Sequence, residues 1–450
     1  MTSAEPSPGA EDPTPDGAPA AREVLHRPGY RRLLLLCLLL GVLIALASFF
    51  FVSLQHGVQR GVWEALPEAV GYDRAPWWWP MPALLLAGLI AAPIITRLPG
   101  GGGHLPVNGL GGPSLGPEAL PGVVVSALTT LPLGVVLGPE APLMALGSGL
   151  ALLAARAMRQ APDSQAGKLL GAAGSTAAIS TILGGPVTAA VLVVEGAGFG
   201  GSRLVMLLLP CLLTSAAGAV VFTGFGHWTG LSIGALTLPE LPPNVLPDAG
   251  DFLWGVPASA LIAVLVAGAR SLGRRTARAT REHTAVRTVG VALAVGGCLT
   301  AYALLTGRNP EEAALSGQKT LAQLAGHPGT WSIAALVALV ACKGLAWSLC
   351  LGALRGGPIF PATLLGAAVG IACSGLPGLG TTPGLALGIA AGATVITGLP
   401  LSSSVLTVLL LGSDAHEQMP LIVTASVVAF VTAQLLPQRD TGDRTGAARP

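Results

Sequence analysis

One carboxylate, Glu140, stands between two long apolar stretches inside the run Gly138-Pro139-Glu140-Ala141-Pro142. A charge in hydrocarbon is costly, so a glutamate placed there faces a cavity or a partner and marks an ion or proton path. The run reads as the start of a helix, and a helix N-terminus carries unpaired N–H groups and about half a positive charge. In such a site the carboxylate competes with a permeant anion for the same donors. Protonation or displacement of the side chain would let the anion in. The plainer alternative is a structural glutamate that caps its own helix at the membrane surface. Three more Gly/Pro breaks have the same form: Gly101-Gly102-Gly103-His104-Leu105-Pro106, Gly184-Gly185-Pro186, and Arg355-Gly356-Gly357-Pro358-Ile359-Phe360-Pro361. Each presents backbone amides at a helix start, although a single Gly-Pro cluster is an ordinary turn.

The elements that hold these breaks are membrane helices. Hydrophobic residues make up 52% of the 450 and charged residues only 10%, far from the composition of a soluble domain. Uncharged runs long enough to cross a bilayer lie between Arg32 and Gln55, Arg74 and Arg97, Lys168 and Glu195, Arg203 and Glu240, Arg287 and Arg308, Lys319 and Lys343, and Glu417 and Arg439. From Gly356 to Ser413 there is no charge at all, over twice what one span needs, so that region folds back within the membrane. The fold class is therefore all-α and polytopic, with on the order of ten or more helical segments. Glycine (62) and proline (37) recur inside the apolar segments, which points to half-helices that start or stop near mid-membrane, where free backbone groups face protein or a water-filled cavity.

Residues 1–24 read as a disordered cytoplasmic tail, 25–436 as the transmembrane domain and 437–450 as a short tail. Arg22, Arg27, Arg31 and Arg32 precede the first span, and a basic linker, 270–287, divides the domain into halves at about 31–269 and 288–436. By the positive-inside bias the N-terminus and the basic loop are cytoplasmic, in a cell-membrane protein; the loop could instead recruit anionic lipid or a partner. The halves resemble each other. Pro142–Gly147 parallels Pro361–Gly366, and GGPVTAAVLVV (Gly184 to Val194) parallels GLPLSSSVLTV (Gly398 to Val408). Two inverted repeats with broken, re-entrant helices flanking a midplane site are the expected architecture. The net charge of +2 gives no case for nucleic acid. The six cysteines stand singly without metal-ligand spacing, so no metal and no cofactor is expected.

Taken in order, the four breaks resemble the CLC family of voltage-gated chloride channels and chloride/proton antiporters, whose signatures are GSGIP, GREGP, a Pro-opened helix ending in Glu, and GGIFxP. Here they stand as GGHLP (Gly102 to Pro106), GPEAP (Gly138 to Pro142), GGPVTAAVLVVE (Gly184 to Glu195) and GGPIFP (Gly356 to Pro361). The ALSGQ stretch, Ala314 to Gln318, is also typical of the family's linkers, and the resemblance runs from about Arg31 to Leu436. It implies a homodimer with one pore per subunit, the gating glutamate falling on Glu140 and the anion held by helix-terminal amides. Those amides carry over to Gly103, Gly138, Ala141, Ile359 and Phe360. Matching Ile-Phe to Ile-Phe is the register taken, because the other choice puts Pro358, without an N–H, at a donor position.

The departures matter as much. The pore serine of GSGIP falls on Gly103, the residue before the gating glutamate is Pro139, and His104 replaces a glycine. Family exchangers carry an inner proton-handling glutamate, often directly after the one that ends the Pro-opened helix; here Glu195 is followed by Gly196. Glu195 and His104 remain the candidates for a proton path. The expected member also lacks the final tyrosine and cytoplasmic nucleotide-sensing domains, since the sequence ends PQRDTGDRTGAARP. The function read from this is transport of chloride or a similar small anion through a glutamate-gated pore by a channel-like mechanism. The alternatives are a proton-coupled exchanger, a fluoride exporter of the same family, and an unrelated inverted-repeat secondary transporter. An enzyme is not expected, because His104, His227 and His327 stand apart with no partner motif.

Overall fold

The computed structural model describes residues 26, 28–109, 116–161, 164–183, 185–198, 201–229, 238, 246–412 and 415–437. The tail expected at 1–24, all of the tail expected at 437–450 except Pro437, and Gly184 of the third motif lie outside the described residues. The first element, α1 (Pro28–Arg60), runs on through a π-helical turn, Gly61–Ala65, and a last turn, Leu66–Ala69. There follow α2 (Pro80–Arg97), α3 (Leu120–Thr130), α4 (Glu140–Ala157), α5 (Gln165–Ser180), α6 (Pro186–Ala197), α7 (Gly201–Thr229), α8 (Ala249–Thr280) and α9 (Thr284–Thr306). After a linker come α10 (Gln318–Gly326), α11 (Ile333–Ala353), α12 (Ile359–Cys373), α13 (Thr381–Thr397), α14 (Pro400–Leu411) and α15 (Ala415–Leu435).

Among the described residues 7 helices are long and apolar enough to cross a membrane, whereas α6, α12, α13 and α14 are apolar but shorter. At 12 residues, α6 and α14 are each about 18 Å long against a hydrocarbon core of roughly 30 Å. Proline at the first position opens both, where its missing N–H costs nothing and its fixed φ suits the helix. These are the broken helices expected from the Gly/Pro breaks, and they pack antiparallel. The end of α6, at Glu195, meets the start of α14, at Leu401 and Ser402, while Gly185 at the start of α6 lies against Leu409 near the end of α14.

The other repeated pair obeys the same rule. Helix α4 packs on α5 with Gly147 against Gly174, and α12 packs on α13 with Gly366 against Gly388 and Gly370 against Gly384. With no hydrophobic drive between helices in lipid, close backbone approach through small residues supplies the packing. A Cβ on Gly366 would run into the Gly388 carbonyl, and one on Gly388 into the Gly366 carbonyl. Gly388→Leu is therefore expected to cut the yield of monodisperse protein on size-exclusion chromatography by about ten-fold or more.

Two segments differ from their sequence reading. Arg270 to Arg278 is not a loop but the end of α8, and the chain turns only at Arg281–His283 before α9. Arginine is a good helix former, and Arg270 is drawn inward, its Nε donating to the Val107 carbonyl at 3.1 Å. Lys343, read as the boundary of an uncharged run, sits at the middle of α11 and is fully buried.

Candidate anion site

The second and fourth motifs meet as a backbone bridge. Gly138 N–H donates to the Gly357 carbonyl at 2.7 Å, and Gly357 N–H returns to the Gly138 carbonyl at 2.6 Å. This two-residue antiparallel bridge sets the starts of α4 and α12 side by side. Glu140 is the first residue of α4 and is fully buried. Its Oε1 accepts the Phe360 N–H at 2.8 Å, and the N–H groups of Ile359 and of Glu140 itself also face the carboxylate. Its Oε2, buried, has no hydrogen-bond partner among the described residues. The carboxylate lies over the two bridge glycines, and a Cβ on Gly138 or on Gly357 would occupy its place. Here glycine is required by close approach, not by backbone conformation alone.

Ile359 and Phe360 are the first two residues of α12, following Pro358 at the N-cap. The first amides of a helix have no intrahelical acceptor. Together with the macrodipole, they form a buried site for negative charge, which Glu140 fills. Ala141 lies beside it in the first turn of α4. Gly138 frames the site without donating to it, since its N–H is spent on Gly357.

The first motif is placed differently. Gly103 N–H donates to the Gly100 carbonyl at 2.9 Å, so its amide closes a turn of its own, with His104 half-buried next to it. Arg355 ties that turn to the fourth motif, its Nε donating to the Gly101 carbonyl at 3.0 Å. Glu195 is engaged elsewhere. Its carboxylate accepts the Leu401 N–H at 3.1 Å and the Ser402 N–H at 2.7 Å, as well as the Ser402 hydroxyl. It thus caps α14, the same device that Glu140 applies to α12. Glu195→Gln, which keeps the acceptor oxygen but removes the charge from the helix terminus, is expected to lower the melting midpoint by about 2 °C.

Sequence reasoning missed Lys343. Its Nζ donates to the carbonyls of Ala313 at 2.9 Å, Ala314 at 2.9 Å and Leu315 at 3.1 Å. Leu315, in the ALSGQ linker, holds a left-handed φ of 60°, rare for a residue with a side chain. Its N–H reaches the Gly134 carbonyl at 3.4 Å, in the turn that leads into Gly138. Trp63, set in the π-turn after α1, supports the same turn by donating to the Pro132 carbonyl at 2.9 Å. A lone charge inside an apolar run was the available signal.

The family model described as voltage gated chloride channel matches residues 105–434. The chain belongs to the CLC family. As a CLC protein it is a multi-pass membrane protein that transports anions. It is 29% identical over 363 residues to YfeO of Salmonella paratyphi A, named as an ion-transport protein, covering 77% of this chain and 82% of that one. The YfeO of Salmonella newport matches to the same extent. Among solved structures it is similar to a slow cyanobacterial Cl-/H+ antiporter, with TM-score 0.70, 17% identity, and 91% of this chain and 95% of that one covered. A CLC-type fluoride/proton antiporter gives TM-score 0.68 at 20% identity, with 90% and 95% covered. At such identities these likenesses speak for the CLC fold, two repeats and broken helices included.

Proposed function

We propose that this CLC protein carries chloride or a similar small anion through a pathway gated by Glu140, with a channel-like mechanism, in each subunit of a homodimer in the cell membrane. The observation that carries this reading is the Glu140 carboxylate seated on the Phe360 amide at the start of α12. An anion and a carboxylate compete for that donor, so the site conducts when the side chain is neutral or displaced. Arg355, which joins the first and fourth motifs, adds a positive charge that favours anions. Support for the channel-like step comes from Glu195: both its oxygens are taken up by the start of α14, and no carboxylate follows it. The N-terminus and the basic end of α8 are assigned to the cytoplasm on their arginines.

A second reading, proton-coupled exchange of chloride or fluoride, draws on the solved structures of like fold, which are titled as antiporters of those ions. Purified protein in liposomes separates the two. With a chloride gradient and no other driving force, channel-like transport gives fast chloride flux without uphill proton movement. Uphill proton movement at a fixed stoichiometry would overturn it in favour of the exchanger. The same vesicles, loaded in turn with chloride, fluoride and nitrate, identify the anion.

A further inference from the structure

Helices α8, α11 and α12 enclose a groove of about 260 Å³ that plays no part in the anion site. Leu265, Gly268 and Leu272 of α8 form one wall, Gly344 and Leu345 of α11 the other, and Val369 of α12 its floor. The lining is overwhelmingly apolar. Leu265 and Leu345 at its mouth remain 43% and 46% exposed, so it opens toward lipid. Among the described residues nothing fills the space in front of Gly268, where an added Cβ meets no atom within 4 Å.

Beyond the groove's last lining residue on α8, Leu272, the same helix carries a cation. Residues 265, 268, 272 and 275 recur at the spacing of one helix face, and Arg275 stands two turns, about 10 Å, beyond Gly268. Arg275 is exposed and has no hydrogen bond or ion pair among the described residues. Helix α8 has 32 residues, about 48 Å, too long for a hydrocarbon core of roughly 30 Å. Its basic end therefore lies at headgroup depth while Leu265 and Gly268 lie at acyl depth. An apolar slot of acyl depth, followed one turn further along the same helix by an exposed guanidinium, is complementary to one amphiphile. We infer that the groove binds an anionic phospholipid, an acyl chain between α8 and α11 and the phosphate on Arg275. Because α12 forms the floor, the lipid would rest on the helix whose first amides hold Glu140.

The test is retention of added lipid by the detergent-purified full-length protein, read by native mass spectrometry, with phosphatidylglycerol and phosphatidylcholine of identical acyl chains. Wild-type protein is expected to retain phosphatidylglycerol about five-fold over phosphatidylcholine, the increment of one basic side chain at an anionic surface. Arg275→Gln should abolish that preference, and Gly268→Leu, which fills the groove and improves the helix, should reduce retention of both lipids. Arg281→Gln should leave the preference intact. Absence of a preference in wild type, its survival in Arg275→Gln, undiminished retention in Gly268→Leu, or an equal loss in Arg281→Gln would overturn the site. So would displacement of phosphatidylglycerol by inorganic phosphate alone, since that ion has no acyl chain to seat. The readout is binding, so its failure leaves the anion-transport reading untouched.

Discussion

Glu140→Gln is expected to raise anion flux about ten-fold at neutral pH and to flatten its pH dependence. The reasoning starts from the bond to Phe360. A hydrogen bond to a charged acceptor contributes about 1.5–3 kcal/mol net, against about 0.5–1.5 for a neutral one. Glutamine keeps the shape and an acceptor oxygen but loses that difference, roughly 1–1.5 kcal/mol, which shifts the occupied-to-open ratio by about an order of magnitude. Protonating the wild-type carboxylate removes the same charge. Wild-type flux should therefore rise as pH falls and approach the glutamine level, while the variant stays flat. Glu140→Ala, with no acceptor at all, should conduct at least as well as the glutamine variant. Chloride efflux from liposomes at two pH values checks all three. If Glu140→Gln instead abolishes flux, Glu140 is an obligatory carrier group and the gate reading fails.

Much of that site was legible in the sequence because its parts are local. Gly138-Pro139-Glu140 and Gly357-Pro358-Ile359-Phe360 each announce a helix start by residue type, and an amide donor must be a residue with an N–H, which selects Ile359 and Phe360 over Pro358. The pairing of α6 with α14 was likewise foreshadowed by the repeat that relates their sequences. What was not legible is tertiary. That Gly138 spends its amide on Gly357, and Gly103 on Gly100, depends on where chain segments meet or turn back. The basic segment after Ala269 looked like a loop because charge density alone does not distinguish a polar helix end from a turn. Glu195 looked available for protons because nothing local shows that Ser402, over two hundred residues on, claims its carboxylate. Lys343 was not legible as buried, since a lysine at the end of an apolar run looks the same in sequence whether it bounds a span at the surface or sits inside one.

That lysine carries the other large expected effect. Lys343→Met should lower the melting midpoint by more than about 5 °C and, in whatever protein folds, weaken the pH dependence expected from the proposed gate at Glu140. Two opposing quantities decide the sign. Removing a buried cation relieves its desolvation, as replacing a buried ion pair by apolar residues can do. Against that, the carbonyls of Ala313, Ala314 and Leu315 lose their shared donor, at about 1–3 kcal/mol for each buried group left unsatisfied. Three such losses are comparable with the whole stability of a typical domain, about 5–15 kcal/mol. The left-handed Leu315 adds about 1 kcal/mol of strain that these bonds help to restrain. The loss therefore wins. Its effect reaches the anion site through Leu315 to Gly134, and from there along the turn to Gly138 and its bridge with Gly357. Lys343→Gln, which can still donate two N–H groups, should fall between wild type and the methionine variant in both melting and pH response. Arginine is not a useful control, because Nζ already lies close against Gly317 and a guanidinium is larger than an ammonium. A methionine variant that melts with the wild type and gates normally would mean that the linker holds its shape without the lysine. The coupling from α11 to the gate would then have to be sought in the glycine bridge alone.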